Sequence, residues 1–578
     1  MIRTSLNPIL HFTLWISLML SISGCTNNSL YTENFPDTFD WSKATVYFVM
    51  TDRFCNGDST NDINYGRRVD YGSEQMNAAT FHGGDWAGML QKAKEGYFTN
   101  LGVDVVWITD PYEQIHGWMT GSGEVNDFPH YGYHGYYPLD YTQTDKNYGT
   151  VEQLHALVDT LHAQGIRVMM GANINDPGYP TLLDALQYKF APVPVNIEAE
   201  ATEHIKDWNY NAWYATSESW ERWWTNEWLR LGKDCNCNDQ LTCTLYGLPD
   251  YRSDKTVAVK IPQFLKDKWT AEGSDNDAYT WQAIKDLRND RDAAPLDYVS
   301  SWIAAWVEEF GFDGFRCDVV EYTEDWRWRQ LYDKCDSALV RWRAAHPDDP
   351  ASKWTSRMYF TGDHEDAFIT YLPEYAKAGF SSMVNMKFPK DGNLNAIVGV
   401  WQQYSDSLNA HTDWWPFSYL NNAYFRESDP NRAFECATSF VLSPGAIQIF
   451  YGDEVGRQMS DAKYNVDAAQ AFRSDYDWNN RDLSLMKHYS KLCAFRKYHP
   501  AVGMGVQKTL DSTTCIRTHN SDIVVIKVLP PTNTPINLGG AFADGTEVIN
   551  AYTDEVCQVH NGTITLTKPS GTVALIAK

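Results

Sequence analysis

Gly311-Phe312-Asp313-Gly314-Phe315-Arg316-Cys317-Asp318 joins a helix to a strand. Ahead of it, Val299, Trp302, Ile303, Trp306, Val307 and Phe310 recur at helical spacing as a broad apolar stripe, which Gly311 can end. Behind it, residues 314–320 read as a strand. Residues two apart on a strand share a face, so Arg316 and Asp318 point the same way and the guanidinium can hold the carboxylate ionised. An ionised carboxylate at the C-terminal end of a barrel strand can serve as a nucleophile. Taken alone, the pair reads first as a structural ion pair.

The same unit repeats outward in both directions. Thr45–Met50, Val103–Ile108, Ile166–Met170, Met358–Thr361 and Ile447–Tyr451 are strand candidates. Thr150-Val151-Glu152-Gln153 is a capping-box pattern, followed by Val151, Leu154, Leu157, Val158 and Leu161 at helical spacing and by Gly165. This alternation argues for an α/β fold, a parallel sheet wrapped in helices, open or closed. Residues 177–295 break the rhythm, are rich in Trp, Asn and Asp, and read as an insertion after the third strand. Within them Trp220, Trp223, Trp224 and Trp228 follow helical spacing, which favours packing over a sugar platform. From 505 onward strict alternation, as in Ile523-Val524-Val525-Ile526-Lys527-Val528, predicts a small antiparallel β domain.

The chain has 578 residues, 43% hydrophobic and 21% charged, enough for a large core. Its net charge, 48 − 74 = −26, repels phosphate backbones and argues against a nucleic-acid partner. The load of 23 Trp and 34 Tyr beside many Asn, Asp and Gly makes stacking on a neutral sugar worth testing. An apolar run over Ile9–Leu20 leads into Ser21-Ile22-Ser23-Gly24-Cys25. It is short for a transmembrane helix, and Ile-Ser-Gly-Cys resembles the lipobox of bacterial lipoproteins. That resemblance implies lipidation at Cys25, a cell-envelope location, Thr26 favouring the outer membrane, and membrane contact only through the anchor. An ordinary signal peptide is the alternative. Of the remaining cysteines, Cys235, Cys237 and Cys243 cluster without a fourth zinc ligand, and Cys515 and Cys557 share the C-terminal segment. Local disulfides are expected, with the pairing open.

A series of motifs carries a wider resemblance. Thr51-Asp52-Arg53-Phe54, Gly83-Gly84-Asp85, Val106-Trp107-Ile108-Thr109-Asp110-Pro111, Tyr133-His134-Gly135-Tyr136-Tyr137, Leu248-Pro249-Asp250, Gly314-Phe315-Arg316-Cys317-Asp318 and Arg473-Ser474-Asp475 stand in one order. In that order the chain resembles the α-amylase family of glycoside hydrolases, most closely the periplasmic α-amylases of Gram-negative bacteria. The resemblance implies a (β/α)8 TIM barrel over 41–176 and 296–504, an insertion domain over 177–295 and a C-terminal antiparallel β-sandwich over 505–578. Residues 1–24 would be the leader and 25–40 the tether. It also implies retaining cleavage of α-glucosidic bonds, which needs a nucleophile and a proton donor about 5–5.5 Å apart. The family adds a third acid and two sugar-contacting His.

Matched residue by residue, Asp318 is the nucleophile, Arg316 its partner, and His134 and Tyr136 the first-subsite pair, with Tyr137 where a Trp is common. The other positions depart. The third-strand motif Asp-x-x-x-Asn-His reads Gly171-Ala172-Asn173-Ile174-Asn175-Asp176. The donor Glu after Thr-Gly is Asp363, with Glu365 as an alternative donor if the strand continues. The seventh-strand His-Asp pair is Ala423-Tyr424, and the His four residues after the nucleophile is Tyr322. Asn175 and Asp250 match family Ca²⁺ ligands between barrel and insertion. Asn56, Asp58, Asn61, Asp62, Gly83 and Asp85 match a second Ca²⁺ loop of the cyclodextrin-forming relatives, and such oxygen-rich loops suit a hard cation or an empty Asx-turn loop alike. The expectation is an envelope lipoprotein that binds starch or maltodextrin, with hydrolysis lost or very weak. The alternatives are a working retaining glycosidase or transglycosidase with Asp318 and Asp363 or Glu365, and a protein-interaction scaffold whose partner is unknown.

Overall fold

Helix Pro295–Phe310 buries the stripe read from the sequence. Pro295 opens it, the Asp297 carboxylate accepts from the Ala294 N–H (2.9 Å), and Gly311 ends it at φ +76°, where a Cβ would meet the Trp342 ring. The computed structural model describes residues 39–578 apart from 68–78, 121–128, 192, 194–221, 231–234, 237, 246, 366–367, 412, 425–426 and 460–467. The expected leader, Cys25 and the tether to residue 38 lie outside the described residues, as do Cys237, Trp208, Trp213 and Trp220.

Eight parallel strands close into a barrel in sequence order: β1 (Thr45–Val49), β2 (Val105–Ile108), β3 (Arg167–Ala172), β4 (Gly314–Cys317), β5 (Tyr359–Gly362), β6 (Ser382–Asn385), β7 (Phe417–Tyr419) and β8 (Ala446–Phe450). Every residue of the eight is buried, because strands covered by helices outside and filled by side chains inside have no wet face. The Thr150 cap forms as expected: its N–H donates to Gln153 Oε1 (2.8 Å) and its Oγ1 accepts from the Gln153 N–H (3.2 Å). In register, Arg316 of β4 stands opposite Gly171 of β3 and Thr361 of β5. β4 is shorter than the expected 314–320. It stops at Cys317, and Val319 takes φ +34°, a left-handed conformation strained for a β-branched residue. That turn leaves Asp318 at the barrel rim.

The long segment between β3 and β4 is tied down by buried charge. Lys268, on helix Gln263–Glu272, pairs with Glu113 (2.5 Å), Glu272 (2.8 Å) and Asp140 (3.2 Å). Trp223, Trp224 and Trp228 are buried, so the described part of the Trp-rich segment packs inside the protein.

After residue 505 comes a six-stranded antiparallel sheet, β9 (Val506–Asp511), β10 (Thr514–His519), β11 (Asp522–Val528), β14 (Val573–Ala577), β12 (Glu547–Asn550) and β13 (Glu555–Gln558) in spatial order. Pro535–Asn537 pairs with Thr563–Thr565 in a separate ribbon. The period-2 alternation sorts its faces. Cys515, Val524, Ile526 and Leu575 join the main core, whereas Ile516, Val525, Val548 and Ile576 form a second one. Of the cysteines for which local disulfides are expected with the pairing open, Cys515 and Cys557 lie in different cores and both are free thiols.

Candidate active site

Arg316 organises the barrel mouth. Its Nη1 donates to Asp318 Oδ1 and its Nη2 to Asp363 Oδ2, so one guanidinium bridges the two expected catalytic carboxylates. Backbone bonds fix both acids. The Asp318 N–H donates to the Ala172 carbonyl (3.2 Å), the Asp363 N–H to the Cys317 carbonyl (2.8 Å), and the Val320 N–H to the Asp363 carbonyl (2.9 Å). Burial disfavours the charge on Arg316, but Asp318 and Asp363 outweigh it and keep the group protonated. Burial pushes the Asp363 carboxyl up to about 6; Arg316 opposes this and Asp318 adds to it. Asp363 Oδ1 is buried and has no hydrogen-bond partner among the described residues.

Aromatic rings wall the site. His134 Nδ1 accepts from the Tyr136 N–H (3.0 Å), which leaves the ring proton on Nε2. Burial, aided by Arg473, holds this imidazole neutral, and Nε2 is a buried donor without a partner among the described residues. Tyr136 stacks on His134 (5.0 Å between centroids) and on Tyr424 (6.0 Å, planes 24° apart), and Tyr137 meets His134 edge-on at 4.5 Å. The Arg473 guanidinium lies 5.1 Å over the Tyr424 ring. Burial raises the Tyr424 phenol well above its ordinary pKa, with Tyr136 and Asp318 adding to it. Tyr424 is thus an uncharged ring within electrostatic reach of Asp318 and Arg316.

The remaining departures also come together here. Asp176 accepts from Asn173 Nδ2 (3.2 Å), and burial with the Asp318 charge pushes its carboxyl well up. Tyr322 ends the short 3-10 turn Val320–Tyr322, whose Glu321 accepts from the Glu365 N–H (2.9 Å). Glu365 itself is exposed past the end of β5, so the continuing strand on which it would share the face of Asp363 does not exist. Two contributors escaped the sequence reading. Asp110 is buried beside Gly171, and Glu321 lies within electrostatic range of Asp363. The signal that could have found Asp110 is the void a glycine leaves at position 171.

The calcium expectations divide. Asn175 gives its Nδ2 to the Asp318 carbonyl (2.8 Å), and its Oδ1 accepts from the Thr323 hydroxyl. Asp250 is paired with Arg230 (2.6 Å), which also donates to the Tyr251 carbonyl (3.1 Å) and to Asp254. A guanidinium is paired with the Asp250 carboxylate and the Asn175 oxygen is taken by a hydroxyl, so this first pair does not fit Ca²⁺. In the second loop Asp85 accepts from the N–H groups of Gly57 (3.0 Å), Asp58 (2.8 Å) and Gly88 (2.7 Å) and from Asn61 Nδ2 (3.2 Å). Asn56 Nδ2 donates to Asp62 Oδ1 (2.8 Å), and Gly83, at φ +88°, lies too close to both for any side chain. Asn61 Oδ1 is buried and has no partner among the described residues, an orphaned oxygen on the residue whose Nδ2 holds Asp85, and a hard cation suits such an oxygen. Among the described residues, no group of three or more His, Cys, Asp or Glu is spaced to hold a metal ion as it stands.

Comparison with known proteins agrees with this geometry. The model of the alpha-amylase catalytic domain matches residues 48–484. The periplasmic alpha-amylase of Escherichia coli K12 is 34% identical over 544 residues, 88% of this chain and 76% of that protein. A cyclomaltodextrin glucanotransferase of Bacillus sp. strain 38-2 is 32% identical over 164 residues, 28% of this chain and 21% of that protein. Among solved structures, an Anoxybacillus alpha-amylase superposes with a TM-score of 0.59 at 16% identity, covering 93% of this chain and 98% of its own. The alpha-amylase of Geobacillus thermoleovorans, solved with acarbose, gives 0.58 at 16% identity, covering 93% of this chain and 99% of its own. No helix among the described residues is long and apolar enough to cross a membrane.

Proposed function

The chain belongs to the alpha-amylase family, and on that premise we propose that its cleft binds α-glucans such as starch or maltodextrin while their hydrolysis is lost or very weak. The observation that carries this reading is the pairing of Arg316 with Asp318 and Asp363, with the uncharged Tyr424 ring in electrostatic reach at the position matched to the third acid. The binding side of the site is equipped: the buried Nε2–H of His134 is an unused donor, and Tyr136, Tyr137 and Tyr424 supply apolar faces.

The chemical side is short of parts. Asp363 is one methylene shorter than Glu, about 1.5 Å of lost reach, and misplacement by about 1 Å costs about 10²-fold. A neutral phenol in place of a preorganised charge costs a further 10²–10³-fold or so. Such losses do not simply multiply, yet together they take away most of a glycosidase's advantage.

A second reading, a slow retaining hydrolase or transglycosidase, is favoured by one feature. Asp363, pushed up to about 6, is a proton carrier at mildly acid pH beside an intact Asp318. A maltooligosaccharide with an activated aryl leaving group separates the readings, because its departure barely needs an acid. Aryl release abolished by Asp318→Ala supports the slow enzyme. Binding without release supports the glucan-binding role, and the absence of any glucan binding overturns both in favour of an interaction scaffold.

The tail Ile22-Ser23-Gly24-Cys25 supports anchoring in the cell envelope, probed by palmitate labelling of the full chain with and without Cys25→Ala. The orphaned Asn61 Oδ1 supports one Ca²⁺ in the Asn56–Asp85 region, where the ion would cross-link loop oxygens and take no part in the chemistry.

A further inference from the structure

We propose that Asp110, at the end of β2, supplies from a neighbouring strand the carboxyl that β3 lacks at Gly171, and that it is a positioning residue for Asp318 and the sugar pocket. A Cβ added at Gly171 would lie 1.8 Å from Asp110 Oδ1, 2.7 Å from its Cγ and 2.9 Å from its Oδ2. The whole carboxyl group therefore occupies the space a side chain at 171 would enter. Gly171 has no left-handed φ, so its backbone does not ask for glycine and only the space does.

The locus matters because of what surrounds it. Gly171 stands opposite Arg316 in the β3–β4 register, and the next residue, Ala172, receives the Asp318 N–H at 3.2 Å. Asp110 is 3% exposed and feels the charges of Asp318 and Arg316, and its own charge is felt by Tyr136. The loop that bears His134 and Tyr136 closes over it: a Cβ at Gly135 would come within 2.9 Å of the Asp110 nitrogen. A carboxyl at 110 and a side chain at 171 exclude each other, and either strand can deliver the group to the same point of the barrel mouth. The departure at Gly171 is then a relocation of the acid and not a loss.

The inference rests on the glucan-binding reading for its functional half, and the test separates the two. Gly171→Asp, Asp110→Ala, Asp110→Ala/Gly171→Asp and Asp110→Ala/Gly171→Ala are compared in the full chain by thermal unfolding and by calorimetric titration with maltoheptaose. Gly171→Asp alone should lower Tm by about 5 °C or more through overpacking and like-charge crowding. Asp110→Ala should weaken maltoheptaose about tenfold. The Asp110→Ala/Gly171→Asp swap should regain Tm and return affinity to within about threefold, which Asp110→Ala/Gly171→Ala should not. Tolerance of Gly171→Asp alone, or a swap no better than the double alanine variant, overturns the relocation. If no variant and not the natural chain binds maltoheptaose, the glucan reading falls, and the four Tm values still decide the relocation.

Discussion

Replacing Asp363 by Glu should return the missing reach, and the structure sets the size of the effect. The backbone of Asp363 cannot advance toward a substrate, because its N–H is bound to Cys317 (2.8 Å) and its carbonyl to Val320 (2.9 Å). The deficit therefore stays at one methylene, about 1.5 Å, which at about 10²-fold per 1 Å corresponds to 10²–10³-fold, or roughly 3–4 kcal/mol. This lies within the 10²–10⁴-fold or so that a general acid contributes. Asp363→Glu should accelerate cleavage of maltoheptaose by about 10²-fold, yet change release of an activated aryl group from a maltooligosaccharide by less than about fivefold. The Tyr424 deficiency slows both substrates alike and cancels in the ratio. The assay is chromatographic and chromogenic rate measurement on the natural and variant chains near pH 5.5, with equal Tm as the folding control. Equal acceleration of both substrates, or none of either in a folded variant, refutes the reasoning.

Four further outcomes follow from the same geometry. Asp318→Asn should leave maltoheptaose affinity within about threefold and remove any aryl release the natural chain shows, because a neutral isostere cannot attack but keeps its hydrogen bonds. Tyr136→Ala should weaken calorimetric affinity for maltoheptaose about tenfold, the worth of one stacked face of about 1–2 kcal/mol. In the unfolded chain Asp110 releases its proton near 3.8, whereas in the fold burial and Asp318 push it up to about 8. A raised carboxyl pKa makes stability greatest at low pH and erodes it as pH rises through that window, so Asp110→Asn should flatten the Tm profile between pH 4 and 8. Removing divalent ions with a chelator should lower Tm, Asp85→Ala should abolish that response, and Asp250→Asn should preserve it.

What the sequence made legible was local. Six of the eight barrel strands read as short buried apolar runs, and the Thr150 cap and the Gly311 stop depend on neighbours a few residues away, whereas the short strands Ser382–Asn385 and Phe417–Tyr419 carry no such run. The C-terminal alternation likewise sorted two cores, because period 2 alone decides which face a residue joins. What stayed hidden depends on distant partners. The early end of β4 comes from the left-handed Val319, a conformation no Val would adopt by local preference. Arg316 was legible as a partner of Asp318 two residues away, but its grip on Asp363 spans 47 positions. Arg230 lies 20 positions before Asp250, so the motif that matched a calcium site gave no sign of the guanidinium beside it. Asp110 and Gly171 were each visible, one inside a motif and one as a departure, and only the adjacency of β2 and β3 joins them.

Calorimetric titration of the purified full chain with maltoheptaose, followed by chromatography of the same sample over several days, weighs recognition against cleavage in one vessel. A saturable heat of binding with the heptasaccharide recovered almost intact is the expected result. Rapid conversion to maltose and maltotriose that disappears with Asp318→Ala would contradict it.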